Sequence, residues 1–124
     1  MNVKIDTKEK FHVITPGETT LSENMTEEFS QLLLSCLEKD IKNVVLSLKG
    51  VTSIDSSVAQ AIVNCQQEYY ENQNSFVVCD MSSVVEAFFE ETELLDLLNF
   101  TPTESEAWDI VQMEEIEREL FEDE

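Results

Sequence analysis

One unit constrains the fold more than any other. The near-continuous apolar run Val44-Val45-Leu46-Ser47-Leu48 meets a turn at Lys49-Gly50. The step Ile54-Asp55-Ser56-Ser57 then opens the pattern Val58, Ala61, Ile62, Cys65, Tyr69. A short apolar run without alternation fits a strand buried on both faces. Apolar positions recurring at three- and four-residue steps fit one face of a helix. A second apolar run, Phe76-Val77-Val78-Cys79, follows that helix, so the unit is strand–helix–strand, which implies parallel pairing through a crossover. At the head of the helix stand a carboxylate and two hydroxyls. Free backbone N–H groups and the helix dipole favour negative charge there, so this is a place for a capping side chain and equally for a phosphate.

The rest of the chain extends the alternation. Val3 and Ile5, then Phe11, Val13 and Pro16, predict two short strands forming a hairpin around Lys8-Glu9-Lys10, with Gly17 ending the second. Met25, Phe29, Leu32, Leu33, Cys36 and Leu37 share one face of a predicted helix. Ser82 or Ser83 caps a short helix carrying Val84, Val85, Phe88 and Phe89. Leu94, Leu95, Leu97 and Leu98 lead to a short strand at Asn99-Phe100-Thr101. Pro102-Thr103 introduces a final helix over 104–122, striped by Trp108, Val111, Ile116 and Leu120. The predicted order is β-β-α-β-α-β-α-(β)-α: an α/β fold with a mixed sheet of four to five strands and about four helices.

At 124 residues the chain is long enough for one core and too short for two. Two glycines and two prolines leave little room for long linkers. Residues 1–112 are read as the domain and 113–124 as an acidic helical extension continuous with the last helix. From residue 104 onward roughly half the positions are Asp or Glu, and Arg118 is the only base. That extension is a solvated face, a protein-binding helix or a homodimer contact. The formal net charge of −20 argues against nucleic acid and anionic membrane surfaces and towards a basic or amphipathic protein partner. No run approaches the roughly 18 apolar residues of a membrane span. Cys36, Cys65 and Cys79 sit in apolar surroundings without a Cys-x-x-Cys or Cys/His pairing, so they read as small buried hydrophobes of a reducing compartment. A cytoplasmic protein is expected.

Motifs for chemistry are missing. The single histidine, His12, lies in an early strand, which leaves no clear base for a serine or cysteine nucleophile. Two glycines cannot build a phosphate-cradling loop, and no calcium-loop spacing occurs. A binding protein without enzymatic activity, metal or cofactor is expected.

The segment from Val44 to Ser57 resembles the core signature of STAS domains, in particular those of bacterial anti-sigma factor antagonists: an apolar strand, Gly50-Val51, then an apolar residue before Asp55-Ser56-Ser57. Thr15-Pro16-Gly17-Glu18 resembles that family's loop before the first helix. Phe76 to Cys79, with Val84-Val85 and the leucines near Leu94, resembles its later strand and helix. The resemblance spans roughly residues 2–112. Two positions depart from the pattern. Val58 stands where the family has Gly, adding bulk where a partner's backbone would approach, and Thr20 stands where it has Asp.

This resemblance implies a partner-switching regulator. The unphosphorylated form binds an anti-sigma factor that is also a serine kinase, the kinase phosphorylates it and so releases it, and a serine phosphatase restores it. The acceptor matched on this chain is Ser56. Asp55 and Ser57 support it, with Asp55 orienting the hydroxyl or taking its proton. Gly17, Glu18, Thr20, Asp55, Ser56, Ser57 and Val58 form the implied partner surface. The alternative is a STAS scaffold, or an accessory subunit of a regulatory or lipid-transport complex, without a phosphorylation cycle.

Overall fold

The computed structural model describes residues 1–122. Its elements are β1 (Val3–Thr7), β2 (Phe11–Pro16), β3 (Thr20–Leu21), α1 (Thr26–Ser35), β4 (Asn43–Ser47), β5 (Ser53–Ile54), α2 (Ser56–Glu71), β6 (Phe76–Cys79), α3 (Ser83–Glu91), β7 (Phe100–Thr101) and α4 (Glu104–Glu122). Single 3-10 turns precede and follow α1 and bridge α3 to β7. The main sheet has the order β1-β2-β4-β6-β7. β1 runs antiparallel to β2, and every other pairing is parallel. The predicted mixed sheet with four helices is therefore the observed one.

The central strands β4 and β6 are buried along their whole length because both faces of the sheet are covered there, whereas the edge strand β1 is largely exposed. Successive side chains point to opposite faces. Ile14, Val44, Leu46, Phe76 and Val78 meet Phe29 and Leu33 of α1, Ile62 and Tyr69 of α2, and Val85 and Phe89 of α3. Phe11, Val13, Val45, Val77 and Cys79 meet Ala107 and Val111 of α4. Val13, Val45 and Val77 stand in register as one row under α4. Each fully buried side chain of this size contributes roughly 1.5–3 kcal/mol. Tyr69 buries its ring completely and donates its hydroxyl to the Leu33 carbonyl, tying α2 to α1. All three cysteines are buried and unpaired. Burial raises the Cys36 thiol and pushes the Cys65 thiol up to about 11, so neither offers a thiolate near neutrality.

Two sequence expectations need correction here. The stripe on α4 is not continuous. Val111 is fully buried, whereas Ile116 and Leu120 are more than half exposed. The five-residue step from 111 to 116 turns the helix by about 140° from the docked face. Polar side chains hold this half of the helix instead. Asn43, at the start of β4, donates to Lys10 O (3.0 Å) and to Glu115 Oε1 (2.7 Å), and accepts from the Ser75 N–H (2.8 Å). Arg118 donates to Ser75 Oγ (3.0 Å) and Glu115 (3.1 Å). Glu114 accepts from Ser75 Oγ (2.6 Å) and Tyr70 (2.8 Å). Burial works against ionising Glu115, but the Asn43 amide and the Arg118 guanidinium outweigh it and hold its carboxyl below the usual range. The second correction is an addition. The two-residue strands β3 and β5 form a separate parallel sheet, Thr20 beside Ser53 and Leu21 beside Ile54, which no periodicity announces.

Candidate functional site

The site is built where β4 gives way to α2. After Leu48 the chain turns at Gly50, whose φ of +87° only glycine adopts freely, and the Val51 N–H closes the turn on Leu48 O at 3.0 Å. β5 then lies against β3. Thr19 O accepts from the N–H groups of Thr52 (2.7 Å) and Ser53 (3.2 Å), and the Asp55 N–H reaches Leu21 O at 2.9 Å. Leu21 and Ile54 are buried beneath. The loop before α1 and the segment before α2 thus hold each other and present Asp55-Ser56-Ser57 at the carboxyl end of the parallel strands.

The three residues divide the work of the helix start. Asp55 is the N-cap, in extended conformation, accepting from the Ser57 N–H at 2.9 Å and from the Ser57 hydroxyl at 2.6 Å. The Ser57 oxygen also accepts from Thr26 Oγ1 of α1 at 3.1 Å. Ser56 is exposed, and none of these side-chain bonds engages its hydroxyl. The sequence reading has Asp55 addressing Ser56, whereas the structure pairs Asp55 with Ser57. The Ser57 hydroxyl and N–H hold the Asp55 carboxyl below its ordinary value of 3.8. A depressed carboxyl keeps its contribution above the unfolded value and loses it as pH falls through the folded one. The cap is therefore complete at neutral pH and opens only in stronger acid. In Ser57→Ala the Asp55 midpoint, followed by its carboxyl carbon in NMR, is expected to climb back towards 3.8.

The other predicted site residues are distributed unevenly. Thr20, in β3, is exposed beside Ser53 and so lies next to the segment that leads into α2. Gly17 and Glu18 are engaged with the start of the chain: the Gly17 N–H donates to Asn2 O (2.8 Å) and Glu18 Oε1 accepts from the Asn2 N–H (3.0 Å). A Cβ on Gly17 would come within 3.1 Å of Asn2 Cβ, so its smallness serves this close approach. Val58, expected at the partner surface, is wholly buried in the core under the first turn of α2. Its bulk fills the interior and leaves the approach to Ser56 free. His12 is buried near the start of β4, opposite Val44, between Thr7 Oγ1 (2.9 Å) and Ile41 O (2.8 Å), whereas Ser56 lies past the other end of that strand. Sequence reasoning missed Thr26, which orders Ser57, and the groove of about 450 Å³ between α1 and α2 that Thr26, Ser30, Leu34, Ser57, Gln60 and Ala61 line. A hydroxyl on a predicted amphipathic helix gives no signal of a neighbour 31 residues away.

Among the described residues no group of three His, Cys, Asp or Glu side chains is placed to hold a metal ion, and no helix is long and apolar enough to cross a membrane.

A mixed five-strand sheet with α1–α3 on one face, α4 on the other, and a serine-bearing helix start beyond the carboxyl end of β4 defines a STAS-type module. The STAS domain model matches residues 2–107, and the chain belongs to that family. Solved structures agree in fold. TM1081 of Thermotoga maritima superposes with a TM-score of 0.78 at 22% identity, over 89% of this chain and 94% of that one. An anti-sigma factor antagonist (STAS) domain protein from Planctomyces limnophilus gives 0.74 at 18%, over 89% and 97%. The anti-sigma factor antagonist SpoIIAA gives 0.71 at 16% in its unphosphorylated form, over 90% and 96%. Its phosphorylated form, described as a Bacillus cell fate determinant, gives 0.64 at 15%, over 89% and 99%.

Proposed function

We propose that this protein is an anti-sigma factor antagonist acting in the cytoplasm by partner switching. It binds an anti-sigma factor with serine kinase activity through the surface around Ser56, leaves it when Ser56 is phosphorylated, and is reset by a serine phosphatase. The observation that carries the reading is the contrast between the two serines. Ser57 is held by Asp55 and Thr26, while Ser56 is exposed at the first helical position with its hydroxyl unengaged. A kinase needs an acceptor hydroxyl it can reach and orient, and of the two serines at the helix start Ser56 is the one that offers it. The helix N-terminus answers the added charge of about −1.5 to −2 and its three acceptor oxygens. The existence of SpoIIAA, a protein of this fold, in phosphorylated and unphosphorylated forms supports the same reading. The protein acts as the substrate of a kinase and not as a catalyst.

The test is to incubate the protein with ATP in lysate of its own organism and locate phosphate by tandem mass spectrometry. A single phosphate on Ser56, lost in Ser56→Ala and kept in Ser57→Ala, is expected. Phosphate on Ser57 would overturn the assignment. Capture of a kinase-like ATPase without any phosphate would make the protein a STAS scaffold that no longer cycles.

A further inference from the structure

Helix α4 is apolar on two opposite sides. One side carries Ala107 and Val111, which are fully buried against Phe11, Val13, Val45 and Val77 of the sheet. The other carries Met113, Ile116 and Leu120, which are 57%, 58% and 65% exposed. Spacing of three and four residues puts these three on one stripe, and Leu120 lies about 180° round the helix from Val111. Among the described residues nothing covers more than part of the stripe. Glu114, Glu115 and Arg118 lock this half of α4 to the starts of β4 and β6, so the helix cannot roll to bury it.

The charges around the stripe select what can cover it. Glu106, Asp109, Glu117 and Glu119 are exposed on the same helix, and its one cation, Arg118, is turned inward onto Asn43, Ser75 and Glu115; Lys8 and Lys10 of the β1–β2 turn stand only along the Ile116–Glu119 edge, where Lys8 is paired with Asp6. A second copy of the chain would bring the same carboxylates against themselves, in a protein already at −20. Anionic lipid and nucleic acid meet the same repulsion. A helix with leucine-like residues along one face and Lys or Arg on its flanks satisfies both the stripe and its border.

We propose that the exposed face of α4 is a docking site for a basic amphipathic helix of a partner protein, separate from the Ser56 surface. The probe is a synthetic 18-residue peptide of Leu and Lys patterned as an amphipathic helix. A scrambled peptide of the same composition and a Leu/Glu peptide of the same pattern are its controls. By isothermal titration the patterned Leu/Lys peptide is expected to bind at least ten-fold more tightly than the scrambled one, and the Leu/Glu peptide not at all. Ile116→Ser with Leu120→Ser leaves the net charge unchanged. It is expected to erase the ten-fold preference while circular dichroism and binding of the scrambled peptide stay as in wild type. Ser56→Asp is expected to leave the preference intact, which separates this site from the proposed switch. Equal binding of patterned and scrambled peptides, or a preference that survives the double serine variant, would overturn the proposal. A micromolar dimer in sedimentation equilibrium that the same variant dissolves would overturn it in favour of self-association.

Discussion

Under the proposed partner switch, Ser56→Asp is expected to bind the kinase partner more than 100-fold more weakly than wild type, while Ser56→Ala binds it within a few-fold. The difference comes from where the charge is felt. In the free protein an extra carboxylate at position 56 faces water and the first turn of α2, which holds no acidic residue, and the helix dipole favours it. The unfolding temperature should therefore hardly move. In the complex the same carboxylate loses its water and lies next to the Asp55 carboxylate, on a chain with 27 acidic and seven basic residues. A differential of about 3 kcal/mol between the two states exceeds a factor of 100 in affinity. Titration calorimetry with the purified kinase, each variant beside wild type, measures it. Equal affinity for Ser56→Asp would exclude electrostatic release at this position.

Asn43→Asp, a change of one amide to a carboxylate, is expected to destabilise the fold by about 3 kcal/mol. Asn43 is 4% exposed and joins four parts of the chain: the Lys10 carbonyl, the Ser75 N–H, Glu115 and Arg118. The carboxylate keeps the bonds from Ser75 and Arg118. It removes the donor shared by two acceptors and sets a second negative charge against Glu115 at what was a 2.7 Å hydrogen bond. With a urea dependence of about 2 kcal/mol per molar, the midpoint should fall by roughly 1.5 M. Adding Glu115→Gln should recover most of the loss, because its amide can donate to the new carboxylate. The deficit should also shrink as pH falls, since protonating either carboxyl relieves the pair. If Asn43→Asp unfolded like wild type, the clamp between α4 and the strand starts would contribute nothing to stability.

The two predictions rest on parts of the molecule that the sequence discloses unequally. The strands β4 and β6 are legible because both faces of the sheet are covered, so Val44–Leu46 and Phe76–Cys79 have to be apolar without alternation. The start of α2 is legible because Asp-Ser-Ser before an apolar period is a capping pattern, and Asp55 does cap. What the pattern cannot say is which hydroxyl the carboxylate takes. The structure gives it Ser57, whose oxygen also faces Thr26 of another helix. The burial of Val58 was legible in the apolar period that it opens with Ala61, Ile62, Cys65 and Tyr69; the match to a family glycine is what set it at the partner surface instead. Asn43 reads as an ordinary strand-flanking amide, since its partners lie 33, 32 and 72 residues distant. The β3–β5 pair is held by main-chain bonds of Thr19, Thr52 and Leu21, and main-chain bonds leave no trace in residue type.

The division of labour at the head of α2 sets the kind of signal this domain can carry. Asp55 closes the helix and Ser57 steadies Asp55, so Ser56 bears no part of the architecture. A group added to it has no bond to break and no segment to release. Under the proposed cycle the domain behaves as a tag that is written and erased on a rigid body, not as a lever that moves. Whatever reads it has to do so by touch at the surface. The two forms would then differ little in shape, and the speed of the response would belong to the enzymes that write and erase.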